Sequence, residues 1–253
     1  MTKQTRRQML ATTGGLLGAS LLGSQAYSQN GGAIQRPLKI LVASGHPDDA
    51  ESGCGGTICK FTTLGHEVAV LYLTRGEAGV KEKTHKEAAE MRTAEAIEAC
   101  RVMKATPHFA GQIDGNTIIN KEEYDTIAKM IEMEAPDIVF NQWPVDTHPD
   151  HRVTSNLVYN AWNWFRRDDN KAFDMYYYEV LTGEQTQNFN PTLFVDITET
   201  AELKREATMK HACQNPAEWY WHHEKMGEFR GLESQMDCKY AEAFVRQGFS
   251  GLI

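Results

Sequence analysis

Leu38-Lys39-Ile40-Leu41-Val42-Ala43-Ser44-Gly45-His46-Pro47-Asp48-Asp49 joins an apolar run directly to a cluster of ionisable side chains. Its first six residues are rich in branched aliphatics and closed by Ser44-Gly45, the pattern of a buried strand. In an open α/β sheet, ligands bind beyond the carboxyl ends of the strands, and His46-Pro47-Asp48-Asp49 falls there. Adjacent aspartates repel one another and resist joint ionisation unless a cation is near. A bound metal removes that cost: one carboxylate ligates and its neighbour stays free to move protons.

Outward from this stretch, the pattern alternates between strands and helices. Gly53 to Leu64 reads as a helix ending at Gly65, and Glu67 to Leu73 as a second buried strand. That spacing suits a βαβ unit with adjacent parallel strands. Lys83 to Met103 and Lys121 to Glu134 read as helices. Pro136 to Asn141 reads as a strand feeding into His148-Pro149-Asp150-His151. A helix is expected from Val153 to Arg166, strands at Tyr176 to Leu181 and Leu193 to Val195, and a helix from Thr198 to Ala212. Beyond Asn215 the pattern is aromatic and irregular. The predicted class is α/β: one Rossmann-like domain over residues 37–253, with a mainly parallel sheet and helices on both faces. Gly53-Cys54-Gly55-Gly56 has Ile58 at the third glycine position of a dinucleotide loop, so close helix–sheet approach is the expected use of these glycines.

The chain has 253 residues and a formal charge of −8. A surface of that sign disfavours nucleic acid, whose affinity rests on neutralised phosphates, and anionic membranes for the same reason. Five cysteines in no paired spacing imply no disulfide framework. Residues 1–26 read as an export signal: Thr5-Arg6-Arg7-Gln8-Met9-Leu10 resembles a twin-arginine motif, followed by an apolar run and Ser24-Gln25-Ala26. The apolar run is too short and glycine-rich for a membrane span. Residues 27–36 read as a linker. A periplasmic or secreted destination in a bacterium is expected, with the alternative of a disordered cytosolic N-terminus.

Hydrolytic zinc takes three protein ligands from histidine and carboxylate and leaves a position for water. The expected ligands are His46, Asp49 and His151, carried by two loops that follow two strands. Ferrous iron or cobalt suits the same donor set. Asp48, beside the ligand Asp49 but free of the metal, is the expected general base. His148 is expected to donate to the developing oxyanion or to protonate the leaving group, with Asp150 or Asp146 holding its ring and favouring the imidazolium. The bland alternative for each motif alone is a turn, since proline and aspartate are turn formers. Arg75, after the second strand, either binds substrate or makes a structural ion pair. Trp219-Tyr220-Trp221-His222-His223 either forms an aromatic lip for a sugar or packs a C-terminal segment. His66, His85 and His108 read as surface or strand-end residues.

Gly45-His46-Pro47-Asp48-Asp49-Ala50-Glu51 together with His148-Pro149-Asp150-His151-Arg152 resembles the PIG-L (LmbE-like) zinc N-deacetylases. The likeness extends through Leu73 to Gly79, Pro136 to Phe140, Lys210-His211 with Gln214, and Ala241-Glu242-Ala243-Phe244. It implies a Rossmann-like fold and hydrolysis of N-acetyl groups from amino sugars or of related amides. By motif, it implies His46, Asp49 and His151 as zinc ligands, Asp48 as base and His148 as the oxyanion or leaving-group partner. Gly45 stands where alanine is commoner, and Ala50 separates the acidic pair from Glu51. The expected function is a zinc amidohydrolase that removes acetyl from an N-acetylated amino sugar or glycoconjugate, its partner a small molecule or glycan. The alternatives are hydrolysis of another amide, such as a thiol conjugate, and a non-catalytic carbohydrate- or metal-binding protein.

Overall fold

The structure is a computed structural model, described here for residues 36–168 and 171–248. The elements are β1 (Lys39–Ser44), α1 (Asp49–Thr63), β2 (Glu67–Tyr72), α2 (His85–Met103), β3 (Thr106–Phe109), α3 (Lys121–Glu134), β4 (Ile138–Gln142), α4 (Pro149–Phe165), β5 (Asp174–Tyr178), β6 (Leu193–Asp196), α5 (Ala201–Met209), α6 (Pro216–Ser234) and β7 (Ala241–Arg246). The sheet order is β3-β2-β1-β4-β5-β7-β6. Strands β3 to β5 are mutually parallel along that order, and β7 alone runs antiparallel to both neighbours.

Alternation along β1 divides the core. Ile40 and Val42 point to a layer with Ile58, Cys100, Met103 and Ala207, from α1, α2 and α5. Leu41 and Ala43 point to the opposite layer with Ile127, Ile131, Leu157 and Trp162, from α3 and α4. Burial on both faces explains why β1 reads as a continuous apolar run. Chain order reverses between β1 and β4, and that reversal opens a crevice at their carboxyl ends. Before β1, Arg36 grips Asp137 with two bonds of 2.7 and 2.8 Å and so ties the entry of β1 to that of β4.

Several boundaries differ from expectation. Helix α1 begins at Asp49, not Gly53, and breaks at Cys54 (φ −139°). Past the break, the Glu242 carboxylate accepts from Gly56 N and Thr57 N at 2.9 and 2.7 Å, capping a second helix start from within the core. The expected close approach is present at Gly53, where a Cβ would meet the Tyr178 ring at 2.7 Å. Helix α4 begins at Pro149, not Val153, because proline suits the first helical position and His148 serves as the cap. Both histidine motifs therefore lie at helix N-termini, where the helix dipole favours negative charge. From Pro216 to Arg246 the chain forms α6 and then β7. The short edge strand β3, which carries Pro107, was not expected at all.

All five cysteines are free. Burial pushes the Cys59 and Cys100 thiols up to about 12, which makes them inert. Among the described residues, no helix is long and apolar enough to cross a membrane. The export-signal reading of residues 1–26, and the linker reading of 27–36 apart from Arg36, lie outside the described residues.

Candidate active site

His46 lies on the turn leaving β1, and Asp48 and Asp49 open α1; His148 caps α4, whose first turn holds Asp150 and His151. Since β1 and β4 are adjacent, the two motifs meet. Asp49 Oδ2 lies 3.2 Å from His46 Nδ1 and 3.2 Å from His151 Nε2. Two zinc donors at tetrahedral angles and about 2.1 Å from the ion stand roughly 3.4 Å apart, close to both separations. The same oxygen also receives His46 N at 2.9 Å and Gln142 Nε2 at 3.1 Å. Four nitrogens around one carboxylate oxygen exceed its roughly two lone pairs. A cation held by Asp49, His46 and His151 would relieve that crowding. A Cβ at Gly45 would meet His151 Cδ2 at 3.0 Å, so glycine lets the turn approach closely.

The outward ring nitrogens are held by carboxylates. His46 Nε2 faces Asp150 Oδ2 and Asp114 Oδ1, each at 3.2 Å, and His151 Nδ1 faces Asp146 Oδ1 at 3.1 Å. Carboxylate–imidazole pairs of this kind orient metal-ligating histidines. Burial opposes charge on Asp49, but the His151 and His46 imidazoles outweigh it and hold its carboxyl well below the usual range. For His151, burial is likewise outweighed, by Asp49 and Asp146, and its pKa rises to about 9. The two Asp49 separations and the chemistry of these donors suit a divalent ion; donor atoms within 4.8 Å of one another also group as His46, His148 and His151, and as His46, Asp114, His148 and Asp150.

Asp48 has φ 109° and ψ −29°, a left-handed conformation that costs a residue other than glycine about 1–3 kcal/mol. Its Oδ2 accepts from Arg92 Nη2 at 2.8 Å, and Arg92 also donates to the carbonyls of Pro47 and Gly76. Burial pushes the Asp48 carboxyl up, with Arg92 opposing. A raised carboxyl beside a metal position is the character a general base needs.

His148 stacks on His151 with ring centroids 4.7 Å apart and meets His46 edge-on at 4.5 Å. Its Nδ1 accepts from Asp150 N at 3.3 Å, which leaves the ring proton on Nε2. Burial pushes its pKa down, helped by repulsion from His46 and His151. The expected imidazolium is thus disfavoured, and His148 offers a neutral N–H donor. Neither expected acid holds its ring. Asp150 points to the loop after β3, accepting from Gly115 N and Thr117 Oγ1 at 2.8 and 2.6 Å, and steadies His46. Asp146 accepts the His148 backbone N–H at 2.8 Å and steadies His151.

Arg75 is engaged elsewhere: it donates to Thr93 Oγ1 at 2.7 Å and lies over the Phe109 ring at 4.4 Å. The arginine that reaches the cluster is Arg92. On α2, Ala88, Arg92, Ala96, Ala99 and Cys100 form the buried stripe, so a charge on an otherwise small apolar face was the available signal. Asp114 was missed because β3, which delivers its loop, was missed. The aromatic segment is part of α6: Tyr220 and His223 are buried as packing residues, while Trp221 is exposed and rests on His222.

Three comparisons bear on this site. Residues 41–162 match the family model described as PIG-L, GlcNAc-PI de-N-acetylase. The diacetylchitobiose deacetylase of Thermococcus kodakarensis is 32% identical over 190 residues, 70% of each chain. The 1D-myo-inositol 2-acetamido-2-deoxy-alpha-D-glucopyranoside deacetylase of Kineococcus radiotolerans is 34% identical over 89 residues, 32% of this chain and 25% of that one. Among solved structures, the N,N'-diacetylchitobiose deacetylase of Pyrococcus horikoshii superimposes with a TM-score of 0.73 at 26% identity, over 83% of this chain and 84% of that one. A match spanning 70% of both chains, with the two histidine motifs gathered at one switch point, places the chain in the PIG-L (GlcNAc-PI de-N-acetylase) family.

Proposed function

We propose that the chain is a zinc-dependent amidohydrolase that removes acetyl from an N-acetylated amino sugar or glycoconjugate. One observation carries the chemistry: Asp49 Oδ2 is 3.2 Å from both His46 Nδ1 and His151 Nε2, with Asp48 as the preceding residue. The substrate class rests on the relatives named for N-acetylated sugars. His46, Asp49 and His151 would hold the ion, which when bound would acidify a water and polarise the amide carbonyl. Zinc suits this donor set, and ferrous iron or cobalt fits it too.

The chain's own groups supply the rest. Asp48 takes a proton from the attacking water, whose oxygen bonds to the carbonyl carbon. The Nε2–H of His148 donates to the carbonyl oxygen as it becomes anionic. As the C–N bond breaks, the proton on Asp48 passes to the departing amine, leaving acetate and a free amino sugar. Asp150, Asp114 and Asp146 keep the two ligand imidazoles in orientation.

The test is acetate release from a panel of N-acetylated mono- and oligosaccharides and one thiol-conjugate amide, with metal-replete protein. Release from at least one saccharide is expected. Release only from the thiol conjugate would move the assignment to that class, and metal binding without turnover would favour a binding protein. The twin-arginine motif at Arg6-Arg7 supports export as a further proposal, and lysine at both positions should abolish it.

A further inference from the structure

Asp48 is held at both ends. Its side chain is gripped by Arg92, and its backbone N–H donates to Glu51 Oε2 at 3.1 Å. A glutamate three residues into a helix that accepts the cap residue's N–H is half of an ordinary capping box. The same chain contains an ordinary one for comparison. At the start of α2, Thr84 has φ −66° and ψ 152°, and its partner Glu87 is exposed.

The box at α1 departs from that pattern in two respects. Its cap residue has φ 109°, where extended backbone is usual. Its glutamate has no exposed surface and is fixed from two further sides. Tyr72, at the end of β2, donates its hydroxyl to Glu51 Oε1 at 2.5 Å. His211, wholly buried on the turn after α5, brings Nε2 to 3.1 Å from the same oxygen. Three separate parts of the fold thus converge on one carboxylate whose free oxygen holds the backbone of the proposed base. Helix initiation alone needs none of this, as Thr84 and Glu87 show.

We infer that Glu51, clamped by Tyr72 and His211, is a positioning residue that holds Asp48 in its left-handed conformation and so aims its carboxylate at the reacting water. The inference rests on Asp48 being the base. Glu51 touches neither substrate nor the metal position and acts through Asp48.

A double-mutant cycle in the metal-replete full chain tests it, with kcat and KM measured on an N-acetylated saccharide that the protein turns over. Tyr72→Phe deletes a single oxygen and is expected to lower kcat about 5-fold with KM within about 2-fold. Glu51→Ala is expected to lower kcat at least 10-fold, and Glu51→Gln, which keeps an acceptor oxygen for the Asp48 N–H, should recover much of that. In an Asp48→Asn background, neither Tyr72→Phe nor Glu51→Ala should cost anything further. Metal content should stay at the wild-type level throughout.

Unchanged kcat in Tyr72→Phe and Glu51→Ala, or losses that multiply fully with Asp48→Asn, would overturn the positioning role and leave Asp48 as base intact. Wild-type turnover in Asp48→Asn alone would instead refute the base assignment. If Glu51→Ala does not fold, the Tyr72→Phe arm of the cycle decides.

Discussion

At the residue scale, adjacent side chains of one type are given different tasks by what surrounds them. Asp49 faces two imidazoles and is held ionised, while Asp48 is buried against Arg92 with its carboxyl pushed up. Replacing Asp48 by Asn should lower kcat by about 100- to 10,000-fold, the range for loss of a general base, with about one metal per chain retained. Replacing His151 by Ala should empty the site, so metal analysis beside turnover separates base from ligand. That both residues belong to one cluster was legible in the sequence, because aspartate and histidine packed behind an apolar strand carry their chemistry in their identity. Arg92 was not legible in the same way: it sits mid-helix among charged neighbours, and only its place on the alanine stripe marks it as inward-facing. Asp150 was legible as a site residue but not in its role, since its contacts lie with Gly115 and Thr117 in a loop whose path the sequence did not reveal.

At the element scale, the carboxyl of Glu242 organises the break in α1. It caps Gly56 and Thr57 and pairs with Lys204 Nζ at 2.7 Å, both side chains being buried. Glu242→Ala should lower unfolding free energy by about 3–5 kcal/mol, the cost of stranding a buried partner charge, read from urea denaturation. Glu242→Gln should cost less, since its amide oxygen still accepts from the helix start. Helix α6 makes a second prediction through His223, whose pKa falls to about 3 because it is buried, with Lys204 and His222 adding repulsion. Unfolded, the same ring titrates near 6.5. The unfolded chain therefore binds a proton in this window that the folded chain does not, and stability is full above pH 6.5 and declines as pH falls toward 3. The slope is about 1.4 kcal/mol per pH unit, so urea midpoints at pH 7 and 5 should diverge less in His223→Gln than in the parent. Identical slopes would show that His223 is protonated in the fold. Helix α6 escaped the sequence because tryptophans, histidines and glycines there follow no clean 3.6-residue period. β3 escaped because Pro107 argues against a strand, and only an edge position tolerates it.

At the scale of the molecule, the site is a bridge across the reversal of strand order. His46 and Asp150 meet although 104 residues separate them, and no covalent link joins the two loops. Parallel β1 and β4 bring the loops side by side, and together with Asp114 from the loop after β3 they gather four acidic groups, Asp49, Asp114, Asp146 and Asp150, all buried. So much negative charge is tolerated only with compensating cations, which in the metal-free chain are the imidazoles held protonated around Asp49. A bound divalent ion would take over that role, and one that favours the folded state would stabilise it. Removing it should therefore lower stability by RT ln(1 + [L]/Kd), about 4 kcal/mol when free ion exceeds Kd 1,000-fold. At about 2–4 °C per kcal/mol for a domain of this size, a chelator should depress Tm by roughly 10 °C. In His151→Ala the same chelator should produce no shift, since that variant has no ion to lose. Equal melting of the parent with and without chelator would mean that the two loops hold their arrangement without a metal, and that the carboxylates are balanced by the imidazoles alone.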